Sequence, residues 1–541
     1  MDAKRNYVLF FLLLFLAGAV IFLFKLGGRD LWDPDEPRYA LVAREMRQSG
    51  DWMVPHLNGE IYVEKPPLFF WLINLSTFVL GGDTELANRL PSALAGLATM
   101  LMTFFFGSKV FNPRVGFLSG LVLATCFLFP QISRWMMLDS LFTLCFLLAL
   151  YCFYLGVNGA ARSKITFMLA GVCMACGTLT KGPIAYLPIP LFLIYALMVG
   201  DFRKIWNRNL LYAVLLSVGL VSAWFFPAVS MAGKTYGTEN LWRQTFGRFM
   251  GGWSHPEPFY FYFIRFPLGF LPWALFLPWA FNHGFRQMSA EKRKGLLFLF
   301  VWFSFIFLFF TFSKGKKDNY LLPLYPAAAL GVVHWIASFW GSSKRTGRTH
   351  ETLWIPMGLI TLCCLAGWLM ILVSPAEWFP RRAVPYFPFL FWSLSIVTLG
   401  GILSLLFHRW RWYPSSIFCF IAAFIIVQVY IAMNFVPWLN GIRSPRPFSE
   451  QIIQRMAPGD QLKMWKFQHM GIQYYTGKAA EQIRKVYRLL EVFHGSGRIF
   501  MVVEEEDFDW LKGKVDLPFH VVERGKVAHQ TLFLVSNRGS L

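Results

Sequence analysis

Long apolar stretches separated by short polar segments fill most of this 541-residue chain. An α-helix needs about 20 mostly apolar residues to cross the roughly 30 Å hydrocarbon core of a bilayer. Stretches that reach or approach this length include 7–26, 296–312, 353–373 and 417–436. We count about thirteen such stretches. The pattern therefore predicts an all-α polytopic membrane domain with about thirteen transmembrane helices.

The pattern changes after residue 440, where the segment 440–447 contains turn-forming residues and the composition becomes polar. We expect a membrane domain at 1–440 and a soluble domain at 441–541. The periodicity of the soluble part predicts helices at 448–456 and 481–493 and strands at 461–467, 498–503, 519–522 and 531–535. These elements describe a small α/β domain.

Composition supports a membrane protein, because 56% of the residues are hydrophobic, 18% are aromatic and only 15% are charged. The net charge of +21 comes largely from Lys and Arg in alternate short loops. If Lys4 and Arg5 hold the N-terminus in the cytoplasm, these loops are all cytoplasmic, as the positive-inside rule requires. The basic charge then serves topology and contact with anionic lipids, and it does not imply nucleic-acid binding.

The predicted topology also decides on which side of the membrane the polar segments lie. The first apolar stretch is too long for the core of a signal peptide and is interpreted as a retained anchor. An odd number of crossings then places the polar segment 27–66 and the soluble domain on the outer face. We expect any chemistry carried by these segments to occur outside the cytoplasm.

The segment 27–66 holds the first candidate catalytic residue. Asp33 as N-cap, Pro34 at the first position and Glu36 in a capping box predict a helix that Gly50 ends. Asp35 then shares a face with Arg38, which together with the helix N-terminus keeps its carboxylate ionised. This suits a base or an electrostatic stabiliser. The alternative role is to complement the helix dipole, which contributes about 0.3–1 kcal/mol.

Three further outer segments carry isolated polar residues. Glu64-Lys65-Pro66-Pro67 is a stiff turn that can aim Lys65 inward, although a lysine reaching to headgroups is the alternative. Asp139 begins a membrane helix and is either a second active-site carboxylate or an N-cap. Lys181 lies beside a Gly-Pro break, which at membrane depth must line protein or a polar cavity. We treat these segments as one convergent site.

Cations are unusually frequent in the remaining outer segments. Arg243, Arg248 and Arg265 surround His255, and the segment 313–320 joins several lysines to Tyr320. An anionic ligand such as a phosphate explains them, and contact with lipid headgroups is the alternative. His56, His255 and Glu64 could form a metal site, but a lone histidine is more often an ordinary hydrogen-bonding residue, and we assign no metal ligands.

Several motifs in chain order carry a family resemblance. They are Pro34-Asp35-Glu36-Pro37-Arg38-Tyr39-Ala40, Arg44-Glu45-Met46, Ser49-Gly50-Asp51-Trp52, Val54-Pro55-His56, Glu64-Lys65-Pro66, Leu179-Thr180-Lys181-Gly182 and Ser313-Lys314-Gly315-Lys316. Together they resemble the polyprenyl-phosphate-dependent glycosyltransferases of the GT-C fold. The likeness is strongest to the lipid A aminoarabinose transferases, and protein O-mannosyltransferases are broader relatives.

The resemblance implies an inverting transfer of one sugar from an undecaprenyl phosphate carrier to lipid A or another periplasmic acceptor. It implies a multi-pass protein of the bacterial inner membrane whose active site faces the periplasm. Asp35 matches the catalytic aspartate and Asp139 the second active-site aspartate. The donor phosphate is expected to contact Arg38, Lys65, Lys181, Arg248 and Tyr320, with Glu64, His255 and Arg243 as further substrate contacts.

One departure from the family pattern bears on cofactors. Aminoarabinose transferases have a zinc-binding histidine a few residues before the arginine that matches Arg248, whereas Arg243 occupies that place here. No cofactor is therefore predicted, and zinc stays an alternative. A protein or polysaccharide O-glycosyltransferase that uses a polyprenyl-phosphate hexose is a second candidate function. A lipid-linked sugar flippase is a third, but such folds usually contain repeated halves, and no repeat is visible in this sequence.

Overall fold

The computed structural model describes residues 2–158, 163–200, 202–239, 256–286, 293–338, 352–373, 383–515, 517 and 519–539. Most of them are helical, which confirms the predicted helical membrane domain. Within these ranges ten helices are long and apolar enough to cross a membrane, or up to twelve if each of two bent helix pairs is one crossing. The sequence had predicted about thirteen.

The helices before residue 436 differ widely in length. They run over Asp2–Leu23, Asp35–Ser49, Leu68–Val79, Glu85–Val110, Pro113–Thr125, Leu128–Arg134, Leu138–Asn158, Ser163–Lys181, Pro188–Val199, Phe202–Ile205, Arg208–Ala232, Lys234–Gly237, Phe261–Gly269, Leu277–Arg286, Arg293–Phe312, Tyr325–Ala337, Trp354–Val373, Phe387–Arg409 and Tyr413–Tyr430. Short 3₁₀ helices cover Pro183–Tyr186, Trp273–Phe276, Asp318–Leu324 and Val384–Tyr386, and a π-helical turn covers Ile431–Phe435.

Small residues allow the membrane helices to approach closely. A Cβ atom added to Gly116 would lie 2.3 Å from the carbonyl oxygen of Phe104, so the helices Glu85–Val110 and Pro113–Thr125 meet at their backbones. Lipid gives little hydrophobic drive for helix association, and close van der Waals packing at small residues replaces it. The helices Pro113–Thr125 and Leu128–Arg134 form one of the bent pairs, with a bend of 71°.

The chain divides into two compact units. The first consists of Met1–Leu26, Val63–Phe69 and Arg89–Phe435, and the second consists of Gly27–Tyr62, Phe70–Asn88 and Val436–Leu541. The second unit therefore contains two segments that the sequence had assigned to the membrane domain. A boundary of independent domains near residue 440 stays a prediction.

A five-stranded sheet forms the centre of the second unit. Its strands are β3 (Gln461–Trp465), β4 (Ala480–Ile483), β5 (Ile499–Glu504), β6 (His520–Val527) and β7 (Gln530–Ser536), in the order β4-β3-β5-β7-β6; the separate two-stranded hairpin is β1 (His56–Leu57) and β2 (Glu60–Ile61). The central strand β5 pairs parallel with β3 and antiparallel with β7.

Helices cover both faces of this sheet. Alternate residues of β5 enter different hydrophobic clusters, because Phe500 and Val502 belong to one core while Met501 and Val503 belong to the other. The helices of this part of the unit run over Val436–Arg443, Arg446–Arg455, Met470–Thr476, Val486–Phe493 and Glu505–Lys514. The predicted small α/β domain is confirmed.

The predicted helix at 481–493 was wrong over its first turn. Residues 480–483 form β4, and the helix begins only at Val486. Glu481 and Gln482 favour helix locally, but parallel pairing with Lys463 and Met464 of β3 overrides that preference. The helices Met470–Thr476 and Glu505–Lys514 were not predicted.

A partly buried carboxylate joins the early segments of the second unit to its C-terminal part. Asp83 accepts hydrogen bonds from Arg44 at 2.8 Å, Arg47 at 2.9 Å, Asn88 at 2.8 Å and the Tyr474 hydroxyl at 3.0 Å. Burial opposes ionisation, but the two guanidinium groups and the hydrogen bonds outweigh it, so the pKa of Asp83 lies below its ordinary value. The helix Asp35–Ser49 is thereby fixed within this unit.

Candidate active site

The first unit contains a buried ion pair at the ends of two neighbouring helices. Asp139 lies in the first turn of Leu138–Asn158, and Lys181 is the last residue of Ser163–Lys181. The short connection makes these helices antiparallel, so the start of one lies beside the end of the other. The Lys181 ammonium donates a hydrogen bond to Asp139 Oδ1, and the two side chains are only 8% and 6% exposed.

Local sequence explains why these two residues reach this position. The helix ends at Lys181 because Gly182 adopts a positive φ of 93° and Pro183 has no backbone N–H. On the other side, Ser92 fixes the residues before Asp139: its hydroxyl donates to the Met137 carbonyl at 2.9 Å and lies 3.0 Å from the Met137 amide. Asp139 is in the helix proper, so the alternative role as N-cap is wrong.

A third segment completes this cluster. Asn319 Nδ2 donates a hydrogen bond of 2.8 Å to Asp139 Oδ2. The next residue, Tyr320, presents its ring to the Lys181 ammonium at 4.6 Å from the ring centroid, and the Phe142 ring lies at 5.2 Å. The structure thus brings together Asp139, Lys181 and Tyr320, all predicted site residues. We name these three with Asn319 the Asp139 cluster.

The segment before the cluster is fixed by a buried lysine. The Lys316 ammonium donates hydrogen bonds to the carbonyl oxygens of Ser313 at 2.5 Å and Glu257 at 3.0 Å. Tyr262 donates from its hydroxyl to the Lys317 carbonyl at 3.1 Å. Burial lowers the pKa of Lys316, although Glu257 opposes the shift. Lys316 therefore has a structural role that its place in a lysine-rich segment did not reveal.

Asp35 and Arg38 belong to the second unit. They form an ion pair one helical turn apart, as predicted, and their side chains are 21% and 23% exposed. The helix runs from Asp35 to Ser49, and Gly50 ends it with a φ of 74°. A half-buried carboxylate at a helix N-terminus beside a guanidinium is suited to accepting a proton or a hydrogen bond.

The predicted capping box at this helix was wrong. The helix has no side-chain cap. Glu36 instead forms two contacts with the buried Arg29, at 2.5 and 3.0 Å, and accepts from the Trp32 amide at 3.1 Å. Asp33 contacts His469 at 2.9 Å and the Gly471 amide at 3.1 Å. A buried bidentate Arg–Glu pair is a stronger interaction than an exposed cap.

The remaining predicted residues are placed as follows. Glu64 and Lys65 are half-buried at a bend of the first unit. Arg265 forms an exposed contact of 3.7 Å with Asp318. Arg243, Arg248 and His255 lie outside the described residues.

The described side chains do not form a metal site. Across the described ranges, no three His, Cys, Asp or Glu side chains lie close enough together to ligate one ion. His56 directs Nδ1 to the Val54 carbonyl at 2.9 Å, with Asp51 at 3.9 Å.

Comparison with known proteins shows similarity to membrane glycosyltransferases that use lipid-linked sugars. Residues 64–227 match the family model described as dolichyl-phosphate-mannose-protein mannosyltransferase. The undecaprenyl phosphate-alpha-4-amino-4-deoxy-L-arabinose arabinosyl transferase of Edwardsiella ictaluri is 31% identical over 407 residues, which are 72% of this chain and 71% of that protein. A second transferase of this name, from Proteus mirabilis, is 34% identical over 58% of this chain and 56% of its own length.

Solved structures share the fold. The crystal structure of ArnT from Cupriavidus metallidurans bound to undecaprenyl phosphate superposes with a TM-score of 0.83, at 21% identity and over 99% of both chains. The archaeal oligosaccharyltransferase AglB from Archaeoglobus fulgidus gives a TM-score of 0.53 at 10% identity, over 93% of this chain and 69% of that chain.

The helical membrane fold and these similarities identify the chain as a multi-pass membrane glycosyltransferase of the GT-C class. The similarity to the curated relatives is specific enough to go further. The chain belongs to the undecaprenyl phosphate-alpha-4-amino-4-deoxy-L-arabinose arabinosyl transferase family.

Proposed function

We propose that this protein transfers 4-amino-4-deoxy-L-arabinose from undecaprenyl phosphate to lipid A, at the periplasmic face of the bacterial inner membrane. The observation that carries the proposal is the Asp139 cluster. It holds an ammonium group, a carboxylate and an aromatic ring in a nearly dry position at the ends of membrane helices. A fixed cation in such a position suits the phosphate of a lipid-linked donor.

Lys181 is proposed to bind the donor phosphate. Breaking the bond between the anomeric carbon and the phosphate oxygen leaves negative charge on the carrier, and a fixed cation in a site of low dielectric stabilises that charge most. Tyr320 is proposed to support the same phosphate, and Arg38, Lys65 and Arg248 to supply further positive charge. Positioning and charge stabilisation then account for most of the rate.

Asp35 is proposed to act on the acceptor. If a hydroxyl attacks, Asp35 takes its proton as the new bond to the anomeric carbon forms on the face opposite the departing phosphate. If a lipid A phosphate attacks, it is already anionic, and Asp35 orients it or stabilises the positive charge that develops on the sugar ring. Asn at position 35 keeps the shape of the side chain but can neither accept the proton nor carry the charge.

A transfer assay with purified full-length protein tests the proposal. We expect labelled undecaprenyl-phosphate aminoarabinose to give labelled lipid A. We expect Asp35→Asn to lower kcat by about 100-fold or more, with donor binding changed less than about threefold. No transfer from this donor by the unmodified protein would refute the proposal, and near-normal turnover by Asp35→Asn would remove Asp35 from the mechanism.

The match of residues 64–227 to the mannosyltransferase model favours one second candidate, transfer of a hexose to protein. The matched range includes Lys65, Asp139 and Lys181. A polyprenyl-phosphate mannose donor with an acceptor peptide, assayed beside the first pair, separates the two functions. Product only from the mannose donor would favour the second candidate.

A further inference from the structure

We propose that Asn319 is a positioning residue of the transfer reaction, which holds the Asp139 carboxylate so that Lys181 keeps a fixed direction toward the donor phosphate. This inference rests on the proposed function. Asn319 was not among the residues that the sequence motifs singled out.

The argument begins with the hydrogen bonds of Asp139. Each of its carboxylate oxygens accepts from a different element: Oδ1 from Lys181 and Oδ2 from Asn319. Asn319 is 180 positions from Asp139 in the chain. The carboxylate is therefore held from two sides, and it is poorly placed to serve as the base.

The amide of Asn319 has only one useful orientation. With Nδ2 toward Asp139 it donates to a carboxylate oxygen, whereas the flipped amide would set two acceptors against each other. In the observed orientation Asn319 Oδ1 is buried, and it has no hydrogen-bond partner among the described residues. A buried acceptor left unsatisfied destabilises the fold. The hydrogen bond from Asn319 Nδ2 to Asp139 offsets the cost of burying Oδ1.

The neighbouring residue connects this contact to the cation. Tyr320 follows Asn319 in the same 3₁₀ helix, Asp318–Leu324, and its ring faces the Lys181 ammonium. Adjacent residues thus contact the two charges of one ion pair. When the donor phosphate attracts the Lys181 ammonium, a carboxylate bound only to Lys181 would move together with the ammonium. A carboxylate also held by Asn319 stays in place, and the ammonium keeps its position.

Asn319→Ala and Asn319→Asp test the inference in the transfer assay. Asn319→Ala removes the amide that donates a hydrogen bond to Asp139. We expect kcat to fall by about 10-fold or more while the KM for the sugar donor changes less than about threefold. Asn319→Asp sets a second carboxylate against Asp139. Two carboxylates at this distance repel each other when both are ionised, even beside Lys181. The contact between position 319 and Asp139 therefore forms only when the two carboxylates share a proton.

The pH profile separates positioning from a merely structural role. We expect Asn319→Asp to approach the unmodified protein at pH 5.5 and to lose about 10-fold relative to it by pH 8, whereas Asn319→Ala is impaired throughout. The matched control is Asn209→Ala, which removes an asparagine side chain that contacts Ser163 at 3.5 Å. We expect it to leave the transfer rate unchanged.

Three results would overturn the inference. They are kcat within about twofold of the unmodified protein in Asn319→Ala, equal losses in both variants at every pH, and an equal loss in Asn209→Ala. If Asn319→Ala cannot be purified folded, the pH profile of Asn319→Asp decides alone. Failure of the unmodified protein to transfer sugar would refute the proposed function, whereas an active parent with an unaffected variant would refute only the role of Asn319.

Discussion

Removing one charge from the Asp139–Lys181 pair should destabilise the first unit far more than removing both. Among the described residues, Asp139→Asn leaves the Lys181 ammonium facing aromatic rings without its carboxylate, and Lys181→Met leaves the Asp139 carboxylate with its hydrogen bond from Asn319. The double substitution Asp139→Asn/Lys181→Met leaves neither charge in the apolar surroundings.

The burial of the pair sets the magnitude. Both side chains are less than one-tenth exposed, so water cannot solvate the charge that remains. Leaving one member of a buried pair without its partner costs about 3–5 kcal/mol, while replacing both members with neutral groups of similar size is often close to neutral. We therefore expect each single variant to lose about 3 kcal/mol or more and the double variant to lose less than either.

Denaturant unfolding in mixed micelles, followed by tryptophan fluorescence, measures these differences. The double-mutant cycle then gives the coupling between the two side chains. Transfer activity is the second measurement, and we expect the double variant to regain stability without regaining activity. Additive losses with negligible coupling would contradict the buried pair, and an active double variant would contradict the role of Lys181 in catalysis.

Three further predictions concern residues outside the Asp139 cluster. Asp83→Ala leaves two arginines without their shared carboxylate and should cost the second unit about 1–3 kcal/mol, because the three side chains are only partly buried. Because the folded pKa of Asp83 is lowered, its contribution is present above the ordinary value of 3.8 and is lost as the pH falls through the lowered folded pKa, which unfolding between pH 7 and 3 will measure. Glu36→Gln should also destabilise this unit by about 3 kcal/mol, because Arg29 is buried, and denaturation followed by limited proteolysis will detect the loss. Lys316→Met removes the hydrogen bonds to the buried Ser313 carbonyl and the part-buried Glu257 carbonyl, and it should cost about 1–3 kcal/mol in the unfolding assay. The control Lys314→Met, at an exposed position, should change stability by less than about 0.5 kcal/mol.

The membrane helices and the meeting of Asp139, Lys181 and Tyr320 could be predicted from the sequence. Asp139, Lys181 and Tyr320 all lie at helix ends that the topology assigns to the same side of the membrane. Long apolar helices restrict where a polar residue can lie along the membrane normal. Polar residues at helix ends on the same side are therefore confined to one depth along the membrane normal. Predicting that such residues lie close together then needs few further assumptions.

The partners of individual side chains could not be predicted in this way. The Asp-x-x-Glu pattern at 33–36 satisfied the local rule for a capping box, but Glu36 pairs with Arg29 instead. Asn319 carries no local signal that distinguishes it from any polar residue in a turn, since its partner is 180 positions away. Lys316 lies among other lysines in the sequence, but its side chain is buried and hydrogen-bonded to two carbonyl groups. Tertiary packing decides these cases.

The Asp139–Lys181 pair has no net charge, which limits how it can attract the phosphate of the lipid-linked sugar donor. A buried charge needs a partner of opposite charge, and Asp139 provides one for Lys181 before the donor binds. The pair carries no net charge, however, and it contributes little long-range attraction for a phosphate. We propose that this attraction comes from Arg38, Lys65 and Arg248. We propose that the pair acts at short range, where the fixed direction of the Lys181 ammonium matters more than the net charge of the pair. This division of roles would account for one cation held firmly among several.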